Sequence, residues 1–82
     1  MPSPFGVAST KGASREQRIL GRNLARLRTA IALTQEQLSE KAGISTRYVQ
    51  DLEAGLYAPT IFVADALRKA LKCEWSDLLK GC

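Results

Sequence analysis

Apolar residues recur at helical spacing through most of the chain, and the breaks in that rhythm divide it into five short helices. Leu20, Leu24, Leu27 and Ile31 mark one face of a helix running from about residue 15 to Ala32. Ser14, with Gln17 three residues on, forms a capping box that opens it. Leu38 and Ala42, four apart, give the inner side of a second helix over 35–42, opened by the same device in Thr34 and Gln37. Gly43 stands where that helix must stop with positive φ, a conformation that costs glycine least. Ser45 caps a third helix over 46–54, which buries Val49 and Leu52 and ends at Gly55. The link Leu56-Tyr57-Ala58-Pro59 cannot carry a helix into its proline. Thr60 then caps a fourth, about 61–71, with an inward stripe drawn from Ile61, Ala64, Leu67 and Leu71. A last turn, about 75–80, carries Trp75, Leu78 and Leu79 before Gly81.

No strand-like alternation competes with this pattern and no segment repeats. The expectation is a compact all-α domain of five helices over residues 14–82. Residues 1–13 hold Pro2, Pro4 and several small polar residues without either period, and are expected to be a flexible tail. The second and third helices are joined by so few residues that they must cross steeply, which makes the pair a helix-turn-helix.

Charge adds a direction to this picture. The net charge of +4 is unevenly spread: Lys11, Arg15, Arg18, Arg22, Arg26 and Arg28 face Glu16 alone in the first 28 residues, whereas the remainder is almost balanced. A polyanion would meet its attraction mainly on the first helix, and beside a helix-turn-helix that polyanion is double-stranded DNA. The side chains leave little room for enzymology. Histidine is absent, which removes the commonest general base, and no glycine-rich phosphate loop occurs. Cys73 and Cys82 are too few for a disulfide framework, and two thiols cannot complete a zinc site. Cys73 is expected as a small core residue and Cys82 as an exposed tail thiol. Neither a metal nor a cofactor nor a small-molecule ligand is expected. Without a signal peptide or a membrane-length apolar run, the expected location is the cytoplasm.

From Gly21 to Gly81 the chain resembles the lambda-repressor-like helix-turn-helix family, also called the XRE family. The residues that carry the resemblance are Gly21, Leu24, Leu27-Arg28, Thr34-Gln35-Glu36-Gln37-Leu38, Ala42-Gly43-Ile44-Ser45, Val49, Leu52-Glu53-Ala54-Gly55, Pro59-Thr60, Leu71 and Leu78-Leu79. In length the chain is similar to restriction–modification controller proteins and small phage or mobile-element regulators. The resemblance implies a sequence-specific transcriptional regulator, binding a pseudo-palindromic operator as a homodimer with its third helix in the major groove. It implies that Gln35 holds a backbone phosphate, where the amides and dipole at a helix start also favour an anion. Ser45 and Tyr48 are further candidates for phosphate contact, although Tyr48 also suits packing at the domain edge. Arg28 and Glu53 are expected to pair between the first and third helices.

Thr46, Arg47, Gln50 and Asp51 lie on the outward side of the third helix and are the candidates for reading bases. Arg47 suits guanine and Gln50 suits adenine, while Thr46 suits a thymine methyl or a phosphate. Asp51 either accepts from a cytosine amine or orients Arg47 from one turn away. Phe62, Trp75 and Leu79 supply the apolar surface expected at a dimer interface, with Phe62 outermost because Ile61 fits the inward stripe. The chain departs from the family pattern at Leu56 and Tyr57, where many relatives carry a cation, at Arg68 in place of alanine, and at Lys72 in place of glycine. An apolar Leu56-Tyr57 tip fits a rival reading, in which the same fold binds protein as an antitoxin, antiactivator or adaptor.

Overall fold

The computed structural model describes residues 14–82, so the expected tail over 1–13 lies outside the described residues. Five helices follow in order: α1 (Arg15–Ala30), α2 (Gln35–Ala42), α3 (Thr46–Glu53), α4 (Ile61–Leu71) and α5 (Trp75–Leu78). The first four start at the hydroxyl caps of the sequence, and α5 at Glu74. Ser14 Oγ accepts from the Gln17 amide at 3.1 Å while Gln17 Oε1 accepts from the Ser14 amide at 2.7 Å. Thr34 and Gln37 repeat the exchange at 3.0 and 2.9 Å. Ser45 accepts from the Tyr48 amide and Thr60 from the Val63 amide. Each cap satisfies an amide that the helix itself leaves without an acceptor.

The first four helices also end alike. In each, the chain reverses through one left-handed residue, and a pair of bonds closes back on the last turn: Leu33 N–H to Arg28 O with Ala32 N–H to Thr29 O after α1, Ile44 to Ser39 with Gly43 to Glu40 after α2. Leu56 to Asp51 with Gly55 to Leu52 closes α3, and Cys73 to Arg68 with Lys72 to Lys69 closes α4. This is the Schellman arrangement, which satisfies carbonyls that have run out of helical partners. Two of the four left-handed positions are glycine and two are not, since Ala32 has φ 59° and Lys72 has φ 54°. The reversal at Ala32 ends α1 two residues before the expected Ala32 and turns Ile31 out to solvent, against its expected place on the buried face. Leu33 packs against the core in its stead.

That core is formed by Leu24, Leu38, Val49, Leu52, Ala64, Leu67, Leu71, Cys73 and Leu78, one or more from every helix. Ile61 does not join it. It is 64% exposed, because the first residue of a helix leans its side chain back past the end of the element; Val63 and Ala70 flank the inward stripe instead. Helix α3 ends at Glu53 rather than residue 54, and α5 at Leu78 rather than residue 80. The segment after α5 is tied down from α1. Asn23, itself buried, donates from Nδ2 to the carbonyls of Leu78 at 2.9 Å and Lys80 at 2.8 Å, while its Oδ1 accepts from Arg26. Cys73 is a buried free thiol whose pKa is pushed up chiefly by that burial, and Cys82 is exposed. Among the described residues no helix is long and apolar enough to cross a membrane.

Left-handed backbone strains any residue with a Cβ, and neither Ala32 nor Lys72 is held there by a buried side chain. Replacing either by glycine is therefore expected to add about 0.5–1 kcal/mol of stability, a few degrees of Tm in a domain this small. Thermal circular dichroism checks this, and an unchanged or lower Tm for both variants contradicts the strained-cap account.

Candidate nucleic-acid interface

Helices α2 and α3 present the expected surface because three separate contacts set α3 against the rest of the domain. The closest is between backbones. Gly21 on α1 lies so near the end of α3 that a Cβ there would come within 2.6 Å of the carbonyl oxygens of Leu52 and Glu53. Only a residue without a side chain lets the two helices approach this far.

The second contact is an ion pair with a third member. Arg28 Nε donates to Glu53 Oε2 at 2.7 Å and Nη2 donates to Oε1 at 3.1 Å, while Nη1 donates to the Leu33 carbonyl at 2.8 Å. The expected pair between α1 and α3 is thus present, and both side chains are largely shielded from water. Gln35, the first residue of α2, donates from Nε2 to the same Glu53 Oε1 at 3.0 Å. One carboxylate therefore joins α1, α2 and α3. Sequence reading paired Arg28 with Glu53 but missed Gln35 as a partner, because its assigned role was contact with phosphate.

The third contact joins the two helices of the motif directly. Ser39 Oγ donates to the Glu36 carbonyl at 2.6 Å, which uses its only hydrogen, so Thr46 is the donor in the 3.0 Å contact between the Ser39 and Thr46 hydroxyls. Thr46 is half-buried as a result. The sequence signal for this contact is a serine and a threonine seven apart across a helix-turn-helix.

Beyond these contacts the outer side of α3 is bare. The Arg47 side chain is 81% exposed and Gln50 is exposed one turn along, whereas Asp51 keeps only 17% of its side chain exposed. Arg47 Nε donates to both Asp51 oxygens, at 3.1 and 3.3 Å. Ser45 sits at the helix start with its hydroxyl on the Tyr48 amide, and the Tyr48 ring packs against the core. Gln35 and Glu36, the first two residues of α2, have amides without acceptors inside the helix, where the positive end of its dipole lies. The candidate residues thus lie at the start of α2 and along α3, with Gln35 set beside the end of α3 through Glu53 and Thr46 beside Ser39 of α2.

The profile of the helix-turn-helix family matches residues 24–78. The chain belongs to this family. Within it the protein is of the XRE type. This helix-turn-helix regulator is 38% identical over 63 residues to an uncharacterized HTH-type transcriptional regulator, y4dJ, of Sinorhizobium fredii, across 77% of this chain and 82% of that protein. Among solved structures it is similar to the restriction-modification controller protein C.AhdI from Aeromonas hydrophila, with a TM-score of 0.76 and 31% identity over 79% of this chain and 98% of that one. It shares its fold with the clp gene regulator ClgR from C. glutamicum, at a TM-score of 0.77 and 24% identity over 83% of this chain and 87% of that one.

The surface expected to meet a second copy is divided. Phe62 is 83% exposed and Leu79 is also exposed, but Trp75 is half-buried. The Arg68 guanidinium lies 5.2 Å from the centre of the Trp75 ring and bonds Asp65 at 2.8 Å, which accounts for an arginine at this position of α4. Arg68 first, and then Lys69, hold the Asp65 carboxyl below its ordinary pKa.

Because Glu53 is nearly enclosed, removing its strongest partner leaves a charge without a counterion. Arg28→Ala is expected to cost about 3–5 kcal/mol and to lower the Tm sharply in thermal and urea unfolding. Unchanged stability would show that the pair holds nothing together.

Proposed function

We propose that this regulator binds double-stranded DNA sequence-specifically as a homodimer, with α3 in the major groove at each half of a pseudo-palindromic operator, and that it acts on transcription there, including at its own promoter. The observation that carries this reading is the bare Arg47–Gln50 edge of a helix whose other side is locked by Gly21, Glu53 and Ser39. A rigid helix with free donors at base-edge spacing suits direct readout. Arg47 faces guanine and Gln50 adenine, Thr46 lies at the groove edge, and Asp51 acts beside Arg47. Gln35 contacts a phosphate through α2, its side chain already oriented by Glu53, with Ser45 and Tyr48 on the flanking backbone. Phe62, Trp75 and Leu79 form the contact between protomers. The protein belongs with cytoplasmic DNA and needs no cofactor for this task.

Leu56 and Tyr57, both exposed in the loop after α3, favour a second reading in which the fold binds a protein instead. Gel shifts on operator and scrambled duplexes over a salt series separate the two. Arg47→Ala should lose roughly 1–3 kcal/mol of discrimination at one base pair per half-site, with its fold intact. Gln35→Ala should weaken binding almost equally on every sequence, as a positioning contact does. Equal losses on operator and scrambled DNA for Arg47→Ala would make it a phosphate contact only, and no DNA binding by the wild type would leave the protein-binding reading.

Assembly is tested separately. Phe62 contributes nothing to the core, so Phe62→Glu should remain folded yet sediment as a monomer and bind operator much more weakly. A wild type that sediments as a monomer at micromolar concentrations both free and on DNA contradicts the homodimer.

A further inference from the structure

Arg47 and Asp51 stand in an arrangement that helix stability does not favour. A cation in the first turn and an anion in the last turn each meet the unfavourable end of the helix dipole, and the order basic-then-acidic at this spacing is the weaker one. Helix α3 has no acidic residue in its first turn and no basic one in its last. The pair is nevertheless formed, and in a particular way. Both Asp51 oxygens accept from Nε alone, at 3.1 and 3.3 Å, and no described residue bonds Nη1 or Nη2 of Arg47. Asp51 is mostly shielded while Arg47 is almost entirely in solvent, so the half-buried carboxylate is the fixed point and the guanidinium the part it aims.

A guanidinium presents two edges that match guanine O6 and N7, one formed by Nε with a terminal nitrogen and one by the two terminal nitrogens. Asp51 occupies the first. We infer that Asp51 is a specificity-determining positioning residue: it holds Arg47 with only its Nη1–Nη2 edge available, so that this arginine selects guanine end-on and is kept from swinging to a phosphate. The inference rests on the reading of α3 as the base-reading helix and chooses between the two roles the sequence left open for Asp51. The carboxylate also repels the DNA backbone, so its retention at this surface weakens binding to any sequence that does not offer Arg47 a guanine.

The experiment is selection of binding sites from a randomised duplex library with wild type, Asp51→Ala, Asp51→Glu and Arg47→Ala, followed by affinity measurements on the selected duplex and its single-base variants. Alanine is a good helix former, so the Asp51→Ala helix should persist, which circular dichroism checks. Asp51→Ala should lower the preference for guanine at one position by roughly tenfold, at the same base pair that Arg47→Ala affects. It should leave affinity for scrambled DNA unchanged or raised. Asp51→Glu, which keeps the carboxylate within reach, should restore part of the guanine preference. A retained preference in Asp51→Ala, or a loss at a different base pair reading cytosine, would overturn the inference while leaving α3 as the reading helix. A wild type that selects no sequence at all would instead remove the reading of α3 itself, and the inference with it.

Discussion

The carboxylate of Glu53 is the point on which the rest of the arrangement depends. It sits at the end of α3 and accepts from Arg28 on α1 and Gln35 on α2, so three helices share one small, shielded charge. Such a pair adds little stability over a well-packed apolar substitute, because desolvating two charges offsets their attraction. Its contribution is geometric. Apolar packing of Val49 and Leu52 tolerates sliding and rotation, whereas two donors on Arg28 and one on Gln35 meet two oxygens in only one register. The close approach of Gly21 to the carbonyls of Leu52 and Glu53 places the backbone for that register. What leaves this junction is a third helix with a set orientation and a Gln35 side chain held on the Glu53 carboxylate.

The two halves of the motif then differ in what they offer. Helix α2 offers free amides and a side-chain amide fixed by Glu53, groups that in the proposed complex suit any phosphate. Helix α3 offers the exposed Arg47 and Gln50, which under the same proposal act according to the base opposite. Phosphate contacts set the register and base contacts give it meaning. The excess of arginine on α1 adds long-range attraction without specificity. The exposed Leu56-Tyr57 loop adds no cation to this field.

Much of this was legible in the amino-acid sequence where one residue type does one physical job. Ser14, Thr34, Ser45 and Thr60 all cap the helices they were expected to open, and Gly43 and Gly55 mark two of the reversals. The other two reversals pass through Ala32 and Lys72, residues with no left-handed signature, which is why α1 was read two residues too long. Spacing alone put Ile31 and Ile61 in the core. Each stands at a helix end, where the period no longer decides which way a side chain points. In the site, the exposed face of α3 follows from its buried stripe. The links from Gln35 to Glu53 and from Thr46 to Ser39 do not, because they join residues that only the tertiary crossing brings together.

If the start of α2 and the exposed side of α3 form one nucleic-acid surface, a short operator duplex must meet both together. Amide and side-chain NMR shifts during titration with that duplex show whether it does. The largest changes should fall on Gln35, Glu36 and residues 45–51, including the Arg47 and Gln50 side chains. The resonances of Asn23 and Leu78, on the α1–α5 side, should stay in place. Changes centred on Leu56, Tyr57 and α4, with Arg47 unmoved, would contradict such a surface.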